Sequence, residues 1–206
     1  MRPISLVGLG LGVALVLSAC SGAPGVEDSD GLPEWAEFDG EVQTIEPLDS
    51  IEGAERVVVE GVGIDVPPGA SAEEVALSDE VTQLVITSEG RERADAIVTV
   101  TRPGADAGAV TDADVLLGPG TSRAQIDPAA LRDVEEFGAE WSSFPLAAGM
   151  RGEVDTGDGE FREFFYVVTR DDAGSRMISI SCEAPDDAVE DSLGYQLLRT
   201  VRVDGR

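Results

Sequence analysis

The sequence predicts an α+β domain, an antiparallel β-sheet sandwiched between helices, carried behind a signal peptide and a flexible acidic tether. Three observations predict it. From Glu55 onward, runs of branched apolar residues alternate with turns rich in Gly, Pro and Asp, the texture of strands joined by hairpins. Within them, Phe164-Phe165-Tyr166-Val167-Val168 is apolar at consecutive positions, which calls for cover on both faces of a sheet. Ahead of them, a basic residue, an apolar run and a small-residue box ending in Cys20 stand in the order of an export signal.

At the N-terminus, Met1-Arg2 supplies one positive charge, Ile4 to Val16 is an apolar run, and Leu17-Ser18-Ala19-Cys20 follows directly. Residues 1–19 are too short to span a bilayer comfortably as a permanent helix, and small residues before a cysteine suit a peptidase that cuts there. The Gly-Leu-Gly-Leu-Gly run at 8–12 lies inside this signal with no strand before it, so it is not a phosphate loop. The pattern resembles the lipobox of bacterial lipoproteins. That resemblance implies that 1–19 are removed, that Cys20 is the lipid attachment site, and that the chain is held on the extracytoplasmic face of the cell membrane. Two or more acyl chains, at about 0.8 kcal/mol per buried methylene, make such an anchor stable.

Residues 20–54 read as the tether. From Ser21 to Ala54 stand Glu27, Asp28, Asp30, Glu34, Glu37, Asp39, Glu41, Glu46, Asp49 and Glu52, with no basic residue. A flexible chain of this length reaches on the order of 30 Å, more with self-repulsion. The Leu32-Pro33-Glu34-Trp35-Ala36-Glu37-Phe38 stretch has two readings: an acidic-aromatic docking segment, or a tether whose Trp35 and Phe38 fold back on the domain.

Residues 55–206 form the single domain. Arg56 to Glu60 and Val62 to Val66 are strands, closed by Pro67-Pro68-Gly69, a stop that a central strand would not tolerate. Thr82 to Thr87 and Ala96 to Thr101 pair as a hairpin. Pro103 to Gly120, rich in Gly, Ala and Asp, reads as mostly loop. Asp127-Pro128 starts a helix to about Trp141, with Leu131, Val134 and Phe137 as its buried stripe. A meander follows: Met150 to Asp155, the turn Thr156-Gly157-Asp158-Gly159, Phe161 to Arg170, the turn Asp171 to Gly174, and Arg176 to Glu183. Pro185-Asp186-Asp187 opens a last helix through Val189, Leu193 and Leu197, and Thr200 to Val203 is extended. A domain of about 150 residues buries about 68–70 per cent of its unfolded surface without disulfides.

Composition removes most chemistry. Forty-one acidic residues stand against 14 basic ones, all of them Arg, for a net charge of -27, and the chain has no His, Lys or Asn. Without clustered basic residues it does not bind nucleic acid. Without His and Lys it lacks imidazole bases, Schiff bases and His metal ligands, and no G-x-S-x-G is present. Of the two cysteines, Cys182 alternates with Ile178 and Ile180 on one strand face and reads as a buried structural thiol. Asp155, Asp158 and Glu160 crowd one turn, yet their spacing fits no EF-hand loop, and Gly157 and Gly159 account for themselves as turn formers. No metal site, cofactor or catalytic residue is assigned.

The order of elements has a family likeness. Gly61-Val62-Gly63-Ile64-Asp65-Val66-Pro67, Ala96-Ile97-Val98-Thr99-Val100, a helix, a meander ending Ile178-Ser179-Ile180, and Leu197-Leu198-Arg199-Thr200-Val201 resemble the PsbP-like family. Actinobacterial envelope lipoproteins of the LpqN type are similar. The likeness covers about residues 55–203 and implies accessory or docking subunits rather than enzymes. Two departures stand out: Ala70 replaces an aromatic residue after the Pro-Gly turn, and His-based metal ligation has no counterpart. The expectation is therefore a lipid-anchored, non-catalytic binding or docking module of the cell envelope, whose partner is an envelope protein or a small lipidic ligand. Its rivals are a carrier of a small lipidic molecule, which needs an apolar cavity between sheet and helix, and a carboxylate enzyme acting on envelope polysaccharide.

Overall fold

Period-two alternation runs through most of the structured chain, and strands dominate it accordingly. The computed structural model describes residues 42–155, 157, 160–184 and 189–204. In chain order the elements are β1 (Val42–Thr44), β2 (Glu55–Val59), β3 (Val62–Val66), β4 (Ala70–Ala76), β5 (Val81–Ser88), β6 (Ala96–Thr101), α1 (Asp112–Arg123), β7 (Leu131–Glu140), β8 (Ala147–Asp155), β9 (Phe161–Arg170), β10 (Met177–Glu183), α2 (Leu193–Arg199) and β11 (Arg202–Val203). Eight strands form one sheet in the order β1-β7-β8-β9-β10-β6-β5-β4, and β11-β3-β2 form a second, smaller one. Every pairing is antiparallel except β1 with β7, which is parallel, so the large sheet is mixed rather than antiparallel throughout.

The expected double cover is present. Phe165 and Val167 of β9 enter one apolar cluster with Ile178 and Ile180 of β10, Leu197 and Leu198 of α2, and Val62 and Ile64 of β3. Phe164, Tyr166 and Val168 enter the other with Met150 of β8 and Val115 of α1. Both helices lie close on the sheet at glycines. A Cβ on Gly118 of α1 would come 2.6 Å from a methyl of Val168, and one on Gly194 of α2 would run into the Asp95 carbonyl oxygen. The strands expected at 56–60 and 62–66 pair with each other, and the hairpin expected at 82–101 and the meander expected at 150–183 both form.

Three expectations are corrected. The helix expected from Asp127 to Trp141 is a single 3-10 turn, Pro128–Ala130, capped by the Asp127 side chain, and then strand β7. A bulge between Arg132 and Glu135, where Asp133 takes φ 48°, carries the three-residue spacing that imitated a helical stripe. Leu131 and Val134 therefore face the α1 side, and Phe137 faces the other. The segment read as mostly loop holds most of α1, whose Thr111 cap accepts from the Asp114 N–H while the Asp114 carboxylate accepts from the Thr111 N–H. The tether assigned to 20–54 contributes β1 at its end, and Ile45 beyond it is 1% exposed within the core.

The last helix begins later than expected, with Ser192 as its cap after a 3-10 turn at Val189–Asp191. Its expected opening at Pro185-Asp186-Asp187, most of the turn at 156–159 including Asp158, the signal at 1–19, Cys20 and the 32–38 stretch lie outside the described residues.

Candidate functional site

The parallel pairing of β1 with β7 makes a place that neither strand makes alone. Parallel strands deliver their C-terminal ends to the same side. Chain leaving β1 at Ile45-Glu46-Pro47 and chain leaving β7 at Trp141 therefore stand side by side at one end of the sheet edge. Between them opens a cleft of about 450 Å³, lined by Thr44 to Pro47 on one wall and by Ala139 to Ser142 with Phe144 to Leu146 on the other. That is within the size range of small-ligand sites.

The β7–β8 turn shapes its floor. Phe144 N–H donates to the Trp141 carbonyl at 2.9 Å, closing the turn, and the two rings meet edge to face with centroids 4.5 Å apart. Trp141 is 3% exposed, yet its indole N–H has no hydrogen-bond acceptor among the described residues. Ile45 seals the bottom and donates its N–H to the Glu140 carbonyl at 2.9 Å. The β1 wall is tied down from the far end of the chain. Leu48 N–H donates to the Arg199 carbonyl at 2.9 Å, Arg199 Nε donates to the Glu46 carbonyl at 2.6 Å, and the Arg202 guanidinium donates to the Asp49 carbonyl.

The charged lining is one-sided. Glu46 and Glu140 are the ionisable residues of the cleft, both exposed, and no Arg lines it. A second cleft of about 120 Å³ opens at the β7 bulge, where Arg123 and Arg132 stand with Asp133. Its arginines are engaged: Arg123 pairs with Glu136 at 3.6 Å, and the Arg132 guanidinium stacks 3.4 Å above the Phe161 ring.

Groups with displaced proton affinities lie away from both clefts. Burial pushes the Cys182 thiol up to about 12, as befits an inert core residue whose Sγ lies 3.6 Å from the Phe165 carbonyl. Burial likewise raises Tyr166, whose hydroxyl accepts from Ser122 Oγ at 2.9 Å, and Tyr195. At Asp171 burial pulls upward, but hydrogen bonds from Ser175 and Arg176 outweigh it and hold the carboxyl below its ordinary range. That carboxylate orders the β9–β10 turn, pairing with the Arg176 guanidinium at 2.9 Å.

Among the described residues, no group of three or more Cys, Asp and Glu stands ready to hold a metal ion. Asp155 Oδ1 accepts from the Gly157 N–H at 2.8 Å, the turn-forming role expected of that segment. No described helix is long and apolar enough to cross a membrane. Sequence reasoning missed Trp141 and Phe144 as site residues because the segment was read as a helix end. The readable signal was Trp141-x-x-Phe144-Pro145, two aromatics bracketing a turn.

No family model matches the sequence, and no curated protein does. Among solved structures the fold is similar to the solution structure of cyanobacterial PsbP from Synechocystis, with a TM-score of 0.45 and 18% identity over 75% of this chain and 94% of that one. It is also similar to the Ran-binding protein Mog1p of Saccharomyces cerevisiae, with a TM-score of 0.42 and 10% identity over 73% of this chain and 95% of that one. A Bacteroides thetaiotaomicron structure matches with a TM-score of 0.39 and 9% identity, over 75% of this chain and 50% of that one. These matches transfer no residue role.

Proposed function

We propose that this chain is an extracytoplasmic lipoprotein, anchored to the cell membrane through lipid on Cys20, whose domain is a non-catalytic docking module. The ordered run of Met1-Arg2, the apolar stretch and Leu17-Ser18-Ala19-Cys20 supports the anchor. The observation that supports docking is the open cleft at the β1–β7 edge, floored by the Trp141 and Phe144 rings. The β1 wall of that cleft follows directly on the residues that lead from Cys20, so an anchored domain holds it at the end of its tether. A carrier of lipidic molecules is disfavoured, because α1 and α2 lie on the sheet at glycines that leave no room even for a methyl group.

A second reading has one observation in its favour: Glu46 and Glu140 line the same cleft, and paired carboxylates are the working groups of glycosidases. Both are exposed, whereas such enzymes keep their acid in an apolar pocket. Hydrolysis of envelope polysaccharide that is lost in both Glu46→Gln and Glu140→Gln would establish the enzyme. The anchor is tested by the mass of the N-terminal peptide of protein isolated from its own membrane in mild detergent. Acylated Cys20 and the absence of 1–19 are expected, and Cys20→Ala should leave the membrane fraction. An unmodified Cys20 or an intact signal overturns the reading.

A further inference from the structure

We propose that the β1–β7 cleft seats an extended, positively charged peptide segment of another protein, lying beside β1 with a basic side chain directed to Glu46 and Glu140. The inference rests on the docking reading and gives the partner its chemistry. Charge selects the sign. Two carboxylates line the cleft and neither has an ion-pair partner among the described residues; Arg199, which donates to the Glu46 backbone carbonyl behind the wall, is not part of the lining. Complementary potentials favour the right partner and penalise the wrong one. The chain's own lead, with Glu34, Glu37, Asp39 and Glu41, is therefore a poor occupant, and so is a second copy carrying a net charge of -27.

Backbone geometry selects a peptide over a small cation. β1 ends the large sheet, so its amides pair with β7 on one side and have no ladder partner on the other among the described residues. An extended segment adds to such an edge through its main chain and places alternate side chains along the neighbouring surface. Here that surface is the cleft that begins at Thr44. The opposite edge strand, β4, exposes Glu73 and Glu74, so it offers a control of equal charge. The Trp141 indole N–H adds a second requirement. A buried donor without an acceptor is rare, and a peptide carbonyl arriving with a small shift of the β7–β8 turn would supply one.

The test is amide hydrogen exchange on the full chain purified from membranes in detergent. Three probes are added in turn: a synthetic peptide of alternating lysine and valine, its glutamate-for-lysine counterpart, and n-butylammonium. The lysine peptide is expected to slow exchange in residues 42–47 and 141–146. Glu46→Gln with Glu140→Gln should weaken its binding roughly tenfold, and Glu73→Gln with Glu74→Gln should leave it unchanged. Equal protection by the glutamate peptide, equal weakening by the β4 pair, or no protection at all overturns the inference. Protection by n-butylammonium alone makes the cleft a small-cation site and overturns it too. Loss of existing protection on deleting 32–38, or on dilution, names the tether or a second copy as occupant and does the same. None of these outcomes touches the anchor, which is read from the mass at Cys20.

Discussion

The two faces of the eight-stranded sheet are covered by different means. One is layered: α2 and the β11-β3-β2 sheet close over Phe165, Ile178 and Ile180, and the interior there is apolar almost throughout. The other is covered by α1, a helix with Pro119 inside it and Gly118 and Gly120 on either side, and its apolar cluster is much smaller. Polar side chains fill the difference, and they satisfy one another. Ser122 of α1 binds the Tyr166 hydroxyl, Tyr166 also bonds Ser179, and Gln83 donates to Thr99 at 3.2 Å, all of them buried. The difference teaches that a sheet face need not be hydrophobic to be dry; it needs either enough apolar cover or a closed set of hydrogen bonds.

The sharpest way to break that comparison is to truncate neighbouring residues on opposite faces. Phe165 packs against Phe137 and Tyr195 at centroid distances of 5.1 and 5.2 Å, and Phe165→Ala should cost about 3–5 kcal/mol in urea unfolding. Phe164→Ala, at the margin of the smaller cluster, should cost clearly less. Equal losses would mean that the faces are equivalent.

Alkali should attack the layered face. The folded chain keeps the Cys182 proton up to about 12, whereas the ordinary thiol value is 9.0, so the folded state binds the extra proton between the two. Stability from this group is fully present below pH 9 and is lost as pH rises toward 12, by up to roughly 4 kcal/mol at about 1.4 kcal/mol per pH unit. Urea midpoints across that window should fall steeply in the parent and less in Cys182→Ala.

The helix seats sharpen the contrast further. Gly194→Ala drives a methyl into backbone at Asp95 and should cost about 3 kcal/mol. Gly118→Ala meets the Val168 side chain, and part of that overpacking is offset by better helix propensity, leaving about 1 kcal/mol. Tyr166→Phe is of similar size to Gly118→Ala, at about 1 kcal/mol, because the Ser122 hydroxyl is left buried without its partner. A thermal melt that does not move would show that the polar set is not closed through Tyr166.

What the sequence made legible follows the same division. Strands β2, β3, β5, β6, β9 and β10 could be read because their branched residues alternate or run unbroken between Gly, Pro and Asp turns. Double cover could be read from the five residues Phe164 to Val168 alone. The weaker face was not legible. Gly118, Pro119 and Gly120 hid α1 behind loop composition, although Thr111-x-x-Asp114 marks its start. The bulge at Asp133 gave β7 the spacing of a helix, β1 is only three residues long, and β4 carries small and acidic residues in place of large apolar ones. The cleft depends on β1 meeting β7 and on the chain end meeting 46–49, and pairings between distant segments leave no local trace.

Those last pairings set a timetable. Val42 needs Gly138 to form its strand, and Glu46 and Asp49 are held by arginines 153 positions further on. A chain that emerges N-terminus first thus presents early the segment whose partners arrive last. The cleft wall is unfinished until almost the entire polypeptide has emerged, and closing so long a loop is a slow, late event in folding.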